Sequence, residues 1–146
     1  MILWRISNHV DLTGRGGLRA GGRWHLAGRP VVYLAESPSG ALLEVYTQTA
    51  STDAPPTLKL LKIVGPELAA DEVPVTSLPD GWEGKVALTR KLGAVWLERG
   101  KSALLRVPSA VAPETANYLF NPLHPRAELF RVERSFKCPF EVRLLA

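Results

Sequence analysis

GGRWHLAGRPVVYLAESP, residues Gly21–Pro38, runs from a polar, glycine-rich half into an apolar one. The first half sets Arg23 and Arg29 among Gly21, Gly22 and Gly28. The second contains Pro30–Ala35, whose Val-Val-Tyr-Leu run is apolar on both faces, the pattern of a strand buried inside a sheet. An arginine-bearing glycine loop feeding such a strand is either an anion cradle or a basic turn. Ser37 and Ser39 then offer N-caps for a helix that carries Ala41, Leu42, Val45 and Thr49 at helical spacing. Loop, buried strand and helix in succession point to a mixed α+β core.

The flanking sequence agrees. ILWRIS (Ile2–Ser7) reads as a first strand, TLKLLKIV (Thr57–Val64) as another, and ALLRVPS (Ala103–Ser109) as a strand closed by proline. Lys85–Arg99 predicts a helix with Val86, Leu88, Leu92, Val95 and Trp96 on its apolar positions and Gly100 beyond its end. The stretch 66–84 is an acidic, proline-bearing connection, NYLFNPLHP a loop or short strand, and AELFRVERSF with FEVRLL a terminal pair of strands. The expectation is one domain over residues 1–146, with about six strands and two or three short helices flanking a central mixed sheet.

Composition narrows the function. With 46% hydrophobic and 22% charged residues, the 146-residue chain can bury one substantial core and is not disordered. Twelve glycines and twelve prolines argue for short elements and many ordered loops. The net charge of +4 suits an anionic ligand or an acidic partner, but no basic run interleaved with aromatics marks a nucleic-acid binder. Basic residues concentrate only at Arg15, Arg19, Arg23 and Arg29. A single cysteine, Cys138, leaves no internal disulfide. With no signal peptide and no apolar run near ~20 residues, a soluble cytoplasmic protein is expected.

Familiar motifs fail on inspection. A dinucleotide-type G-x-G-x-x-G needs glycine where Arg19 stands, and a P-loop started at Gly17 meets Arg23 and Trp24 in place of Lys and Ser/Thr. His9, His25 and His124 lack partners at metal-ligand spacing, so no metal is expected. Ser39 is not in a nucleophile elbow, and Cys138 reads as buried. Asp71 and Glu72 read as a solvated acidic loop rather than a catalytic pair.

What remains is a set of polar residues embedded in apolar segments: Arg5, Tyr33, Glu44, Ser109 and Asn121. Together with LWRIS, GGRWHLAGRPVVYLAESPSGALLEV, LLRVPSAV and NYLFNPLHP, they make the chain resemble the RES family, named for its arginine, glutamate and serine. The resemblance runs from the first strand to the NPLHP loop; His25 replaces the asparagine that often follows the family's RW. It implies an ADP-ribosyltransferase-like fold and a toxin of a bacterial toxin–antitoxin pair that consumes NAD without a metal. The acceptor of the ADP-ribose would be water or phosphate, or alternatively a protein. It also implies an Xre-type helix-turn-helix antitoxin whose other end blocks the site, in a hetero-oligomer that could include a toxin dimer.

Residue by residue, the resemblance makes Glu44, Arg23 and Tyr33 catalytic, with Arg5, Arg23, Tyr33, Ser109 and Asn121 contacting NAD. The chemistry suits them. Nicotinamide is a cationic leaving group that departs neutral, so one carboxylate can replace the pair needed for ordinary glycosides. Glu44 would stabilise the oxocarbenium-like transition state, the arginines would hold the pyrophosphate, and Tyr33 would offer an aromatic face to the pyridinium ring. Backbone N–H groups at Gly21 and Gly22 would also approach the anion. Arg15, Arg19 and Arg29 would form a solvated basic rim. A module that binds a nucleotide without turning it over is the competing reading.

Overall fold

The computed structural model describes residues 1–48 and 58–138. Seven strands form one sheet in the order β4-β5-β6-β2-β1-β3-β7. They are β1 (Ile2–Ser7), β2 (Val32–Ala35), β3 (Lys59–Val64), β4 (Asp71–Glu72), β5 (Leu104–Pro108), β6 (Ala116–Phe120) and β7 (Arg131–Lys137). Neighbours are antiparallel except β4 and β5, so the sheet is mixed. Three helices, α1 (Arg15–Arg19), α2 (Pro38–Gln48) and α3 (Val86–Arg99), flank it among the described residues.

β2 is buried on both faces, as its unbroken apolar run predicts. Val32 and Leu34 join Leu3, Leu61, Ile63, Leu104, Phe120 and Phe130 in one core cluster. Tyr33 instead packs against the opposite cluster of Trp24, Val31, Trp82, Trp96, Leu97, Leu105, Val107 and Leu119. The period-2 alternation of a strand assigns successive residues to the two sides. The second cluster lies where α3 packs, which explains the tryptophans it contributes or meets.

α2 begins and α3 ends where the sequence says they should. Ser37 caps α2 by accepting the Gly40 N–H at 2.9 Å, and the Ser39 hydroxyl bonds the Ser37 hydroxyl at 3.2 Å. α3 stops at Gly100, which takes the left-handed conformation (φ 61°) and donates to the Trp96 carbonyl at 3.0 Å. Thr49 and Thr57, expected at element ends, and the expected FEVRLL strand fall outside the described residues.

Two expectations change, and one open alternative is decided. The loop 13–29 contains the five-residue α1, which glycines at 16 and 17 concealed. NYLF belongs to a full strand, β6, at the middle of the sheet between β5 and β2. Asp71 and Glu72 are not a solvated loop but the edge strand β4. Asp71 accepts the Ser102 hydroxyl at 2.8 Å, and Glu72 pairs with Arg106 at 2.9 Å. Two acidic residues carry no periodicity, so only the parallel partner β5 reveals that strand.

Candidate active site

β1 and β2 share a single registered pair, Trp4↔Ala35, whereas β1 and β3 are registered along the whole of β1. A cavity of about 320 Å³ opens where the two strands part company. Three consecutive residues of each strand line it, Trp4–Ile6 and Tyr33–Ala35, so it reaches the gap between them. α2 closes one side with Ala41, Glu44 and Val45; the turn Gly21–His25 closes another. The volume falls within the usual range of small-molecule sites.

Glu44 is the carboxylate in this cavity. Register brings its partners together: Asn117 of β6 lies between Ala35 of β2 and Val107 of β5, two residues before Ser109. The Ser109 hydroxyl donates to Glu44 Oε1 at 2.9 Å, and Asn117 Nδ2 donates to the same oxygen at 2.8 Å. Ser109 Oγ is itself aimed by the Val111 and Ala112 N–H groups, at 3.2 and 3.1 Å. Two donors on Oε1 hold the carboxylate in one rotamer. Among the described residues neither of these donors goes to Oε2.

Tyr33 lines the cavity with its ring, and its hydroxyl is taken up behind the turn. It accepts the Trp24 N–H at 3.1 Å and lies 2.8 Å from His25 Nδ1. Burial pushes the Tyr33 phenol up to about 12, so it stays neutral. His25 Nδ1 also accepts the Gly22 N–H at 3.2 Å, which places the ring proton on Nε2, facing the Gly17 carbonyl at 3.2 Å. A Cβ at Gly22 would sit 2.4 Å from the Tyr33 hydroxyl. Gly22 is therefore required by the Tyr33 ring. The expected anion contact through its N–H does not exist, because His25 occupies that donor.

His25 is 2% exposed, and burial lowers its pKa from the ordinary value near 6.5. The imidazole is thus neutral in the fold while the unfolded chain begins to protonate near pH 6.5. In that window the unfolded state binds more protons, so stability rises with pH and is lost as pH falls from about 6.5 through the lowered folded value. The Tm of the wild type should fall more steeply between about pH 6.5 and 5 than that of His25→Asn, a difference that melting curves across this range measure directly. Parallel slopes would remove His25 as the cause.

Two arginines enter the cavity. Arg5 is half-buried and donates from Nη1 to the Asp11 carbonyl at 3.0 Å. Burial lowers its pKa, and the charge of Asp11 opposes the shift. Arg23 donates from Nη1 to the Glu83 carbonyl. Among the described residues neither arginine forms an ion pair with a carboxylate. Arg15, by contrast, is paired with Asp11 at 3.0 Å and is not a free part of the basic rim.

The expected site residues thus divide. Glu44, Tyr33, Arg5 and Arg23 line one cavity, and Ser109 stands behind Glu44 with its proton committed to the carboxylate rather than to a ligand. Asn121 lies elsewhere. It is 6% exposed, and its side chain accepts the Leu123 N–H at 3.0 Å within the turn after β6. Asn117 occupies the position that Asn121 was expected to fill. No local signal separated the two: Asn117 and Asn121 both stand two residues from Leu119, so strand alternation alone assigns them to one face. Among the described residues no group of three His, Cys, Asp or Glu side chains could hold a metal ion, and no helix is long and apolar enough to cross a membrane.

The sequence matches a known family. The RES domain family covers residues 2–141, and the chain belongs to it. A Pseudomonas putida protein named Toxin Res is 49% identical over 135 residues, spanning 91% of this chain and 92% of that protein. A Sphingobium protein named Prs ADP-ribosylating toxin is 34% identical over 153 residues, spanning 97% of this chain and 95% of that protein. In fold, the chain is similar to one in the crystal structure of the M. tuberculosis MbcT–MbcA toxin–antitoxin complex. That likeness has a TM-score of 0.71 at 22% identity and covers 99% of this chain and 86% of the other. The expected α+β class, a mixed sheet flanked by short helices, is thereby established.

Proposed function

We propose that this protein is the toxin of a toxin–antitoxin pair and that it cleaves the nicotinamide–ribose bond of NAD. The observation that carries the reading is the Glu44 carboxylate, anchored through Oε1 by Ser109 and Asn117 in a cavity that Arg5, Arg23 and Tyr33 also line. The names of the relatives, Toxin Res and Prs ADP-ribosylating toxin, support the toxin role and the use of an ADP-ribose donor.

The residues divide the work by charge. Arg5 and Arg23 bind the pyrophosphate, because guanidinium groups match phosphate oxygens and among the described residues neither has a carboxylate partner. Tyr33 presents its ring to the cationic nicotinamide. Glu44 faces the ribose and stabilises positive charge as it develops at the anomeric carbon. The C1′–N bond breaks, its electron pair neutralises the pyridinium, and nicotinamide leaves without a proton. An acceptor oxygen then bonds to C1′; when the acceptor is water, its proton passes to solvent or to Glu44.

Purified protein incubated with NAD should release nicotinamide, followed by chromatography with and without phosphate. Phosphate-dependent release identifies a phosphorolytic enzyme, and phosphate-independent release a hydrolytic one. The competing reading, transfer of ADP-ribose to a protein, is favoured by the name of the Sphingobium relative. It predicts that label from NAD ends on a macromolecule in a cell lysate. Intact NAD under every condition would sink both. An antitoxin partner is supported by the complex in which the similar fold was solved. We take that partner to be of the Xre type and to cover the Glu44 cavity, in the cytoplasm.

A further inference from the structure

We propose that Arg90, on α3 and outside the cavity, is a positioning residue for the pyrophosphate site, which it serves by fixing the peptide that leads into Arg23. The proposal rests on the NAD reading above.

Arg90 Nε donates to the Gly22 carbonyl at 2.8 Å. That carbonyl belongs to the peptide unit ending at the Arg23 nitrogen. The neighbouring residue does the same one unit on: the Thr89 hydroxyl donates to the Arg23 carbonyl. Two consecutive residues of α3 therefore pin the two peptide planes on either side of the Arg23 Cα. Fixing both planes fixes φ and ψ, and with them the direction in which the Arg23 side chain leaves the backbone. The far end is held as well, by the Glu83 carbonyl just before α3. Arg23 is thus oriented from three points on one short stretch of chain.

The surroundings of Arg90 favour a role beyond tethering. Its Nη2 would lie 3.2 Å from a Cβ on Gly21, so the guanidinium packs directly behind the glycine turn that lines the cavity. Among the described residues no carboxylate pairs with it. A half-buried, unpaired cation behind the turn adds to the positive potential that Arg5 and Arg23 present to an anion. Thr89, fully buried, holds the same turn without charge.

The test compares NAD with nicotinamide riboside, which has the same scissile bond and lacks the pyrophosphate. Arg90→Gln should raise KM for NAD by about tenfold to a hundredfold, the usual effect of a hydrogen bond to a charged group, with kcat changed by less than about threefold. Its kinetics on nicotinamide riboside should match the wild type, and Arg90→Lys, which keeps the charge, should recover much of the loss. A purely structural Arg90 would impair both substrates alike, and that result overturns the proposal, as does an unchanged KM for NAD. Melting curves of both variants accompany the kinetics; should Arg90→Gln not fold, the same substrate split is read from Arg90→Met, which keeps the length of the side chain and loses both the charge and the hydrogen bond. Wild-type protein that leaves NAD intact overturns the parent reading and this one together, whereas wild-type turnover with an indifferent Arg90→Gln removes Arg90 alone.

Discussion

Glu44→Gln should lower kcat for nicotinamide release by about 10²–10³-fold, the range found when one preorganised electrostatic contact to the transition state is lost. The substitution is isosteric. Its amide oxygen can still accept the Ser109 and Asn117 hydrogen bonds that now converge on Oε1, so the local geometry survives. What disappears is the charge that the proposed reaction sets against the ribose. Because that charge matters only as the oxocarbenium forms, KM for NAD should move by less than about threefold while kcat collapses. Stability should stay within about 0.5 kcal/mol of the wild type, as for a substitution that breaks no contact. Glu44→Ala would be a poorer probe, since it strands the donors of buried Ser109 and half-buried Asn117 at a cost of about 1–3 kcal/mol each. Steady-state kinetics on Glu44→Gln, with a melting curve as control, give the answer. A variant that retains its kcat removes Glu44 from the chemistry.

Gly93→Ala should produce the second large effect, on the fold and the site together. α3 lies so close to the loop before β2 that a Cβ at Gly93 would stand 1.7 Å from the Trp24 carbonyl oxygen and 2.9 Å from its carbon. Both are backbone atoms, and Trp24 is itself 3% exposed, so neither side can yield without moving an element. Overpacking of this kind costs about 1–3 kcal/mol and occasionally more, against about 1 kcal/mol that alanine returns in helix propensity. A clash of 1.7 Å with backbone puts the cost at the upper end of that range, so a net loss of about 2 kcal/mol, and a fall in Tm of roughly 4–8 °C for a domain of this size, is expected. The displacement also shifts the turn that Thr89 and Arg90 pin, so KM for NAD should rise even where the variant is folded. Gly84→Ala is the control: nothing lies within 4 Å of its added carbon, and its stability should stay within about 0.5 kcal/mol. Equal melting temperatures for the two variants would show that the helix can move off Trp24 freely.

The sequence marked several parts of the site because their chemistry is local. A tyrosine inside an apolar strand, a glutamate among leucines and valines, and an arginine in the first strand each break a pattern that packing alone would keep. Ser37 and Gly100 marked helix ends because capping depends on neighbouring backbone groups. The run Val31–Leu34 announced a central strand because both of its faces had to be apolar.

Other features had no local signature. Asn121 and Asn117 stand in the same motif, and the sequence does not say which side chain turns inward. The register of β6 against β2 and β5 places Asn117 beside Glu44 and leaves Asn121 to cap a turn. Thr89 and Arg90 look like an ordinary polar interruption of α3, yet the crossing of that helix over Trp24 sets them on the Gly22–Arg23 turn. β4 exists only because β5 lies beside it.

By itself, then, the sequence determined the residue types, the longer elements and the family, since helix and strand periodicity, capping and motif residues are written within a few positions of one another. Only the tertiary structure decided which donors meet the Glu44 carboxylate, why Gly22 and Gly93 must lack side chains, and where the cavity opens. Those facts arise from contacts between residues separated by up to 73 positions, and sheet register and helix crossing bring such residues together.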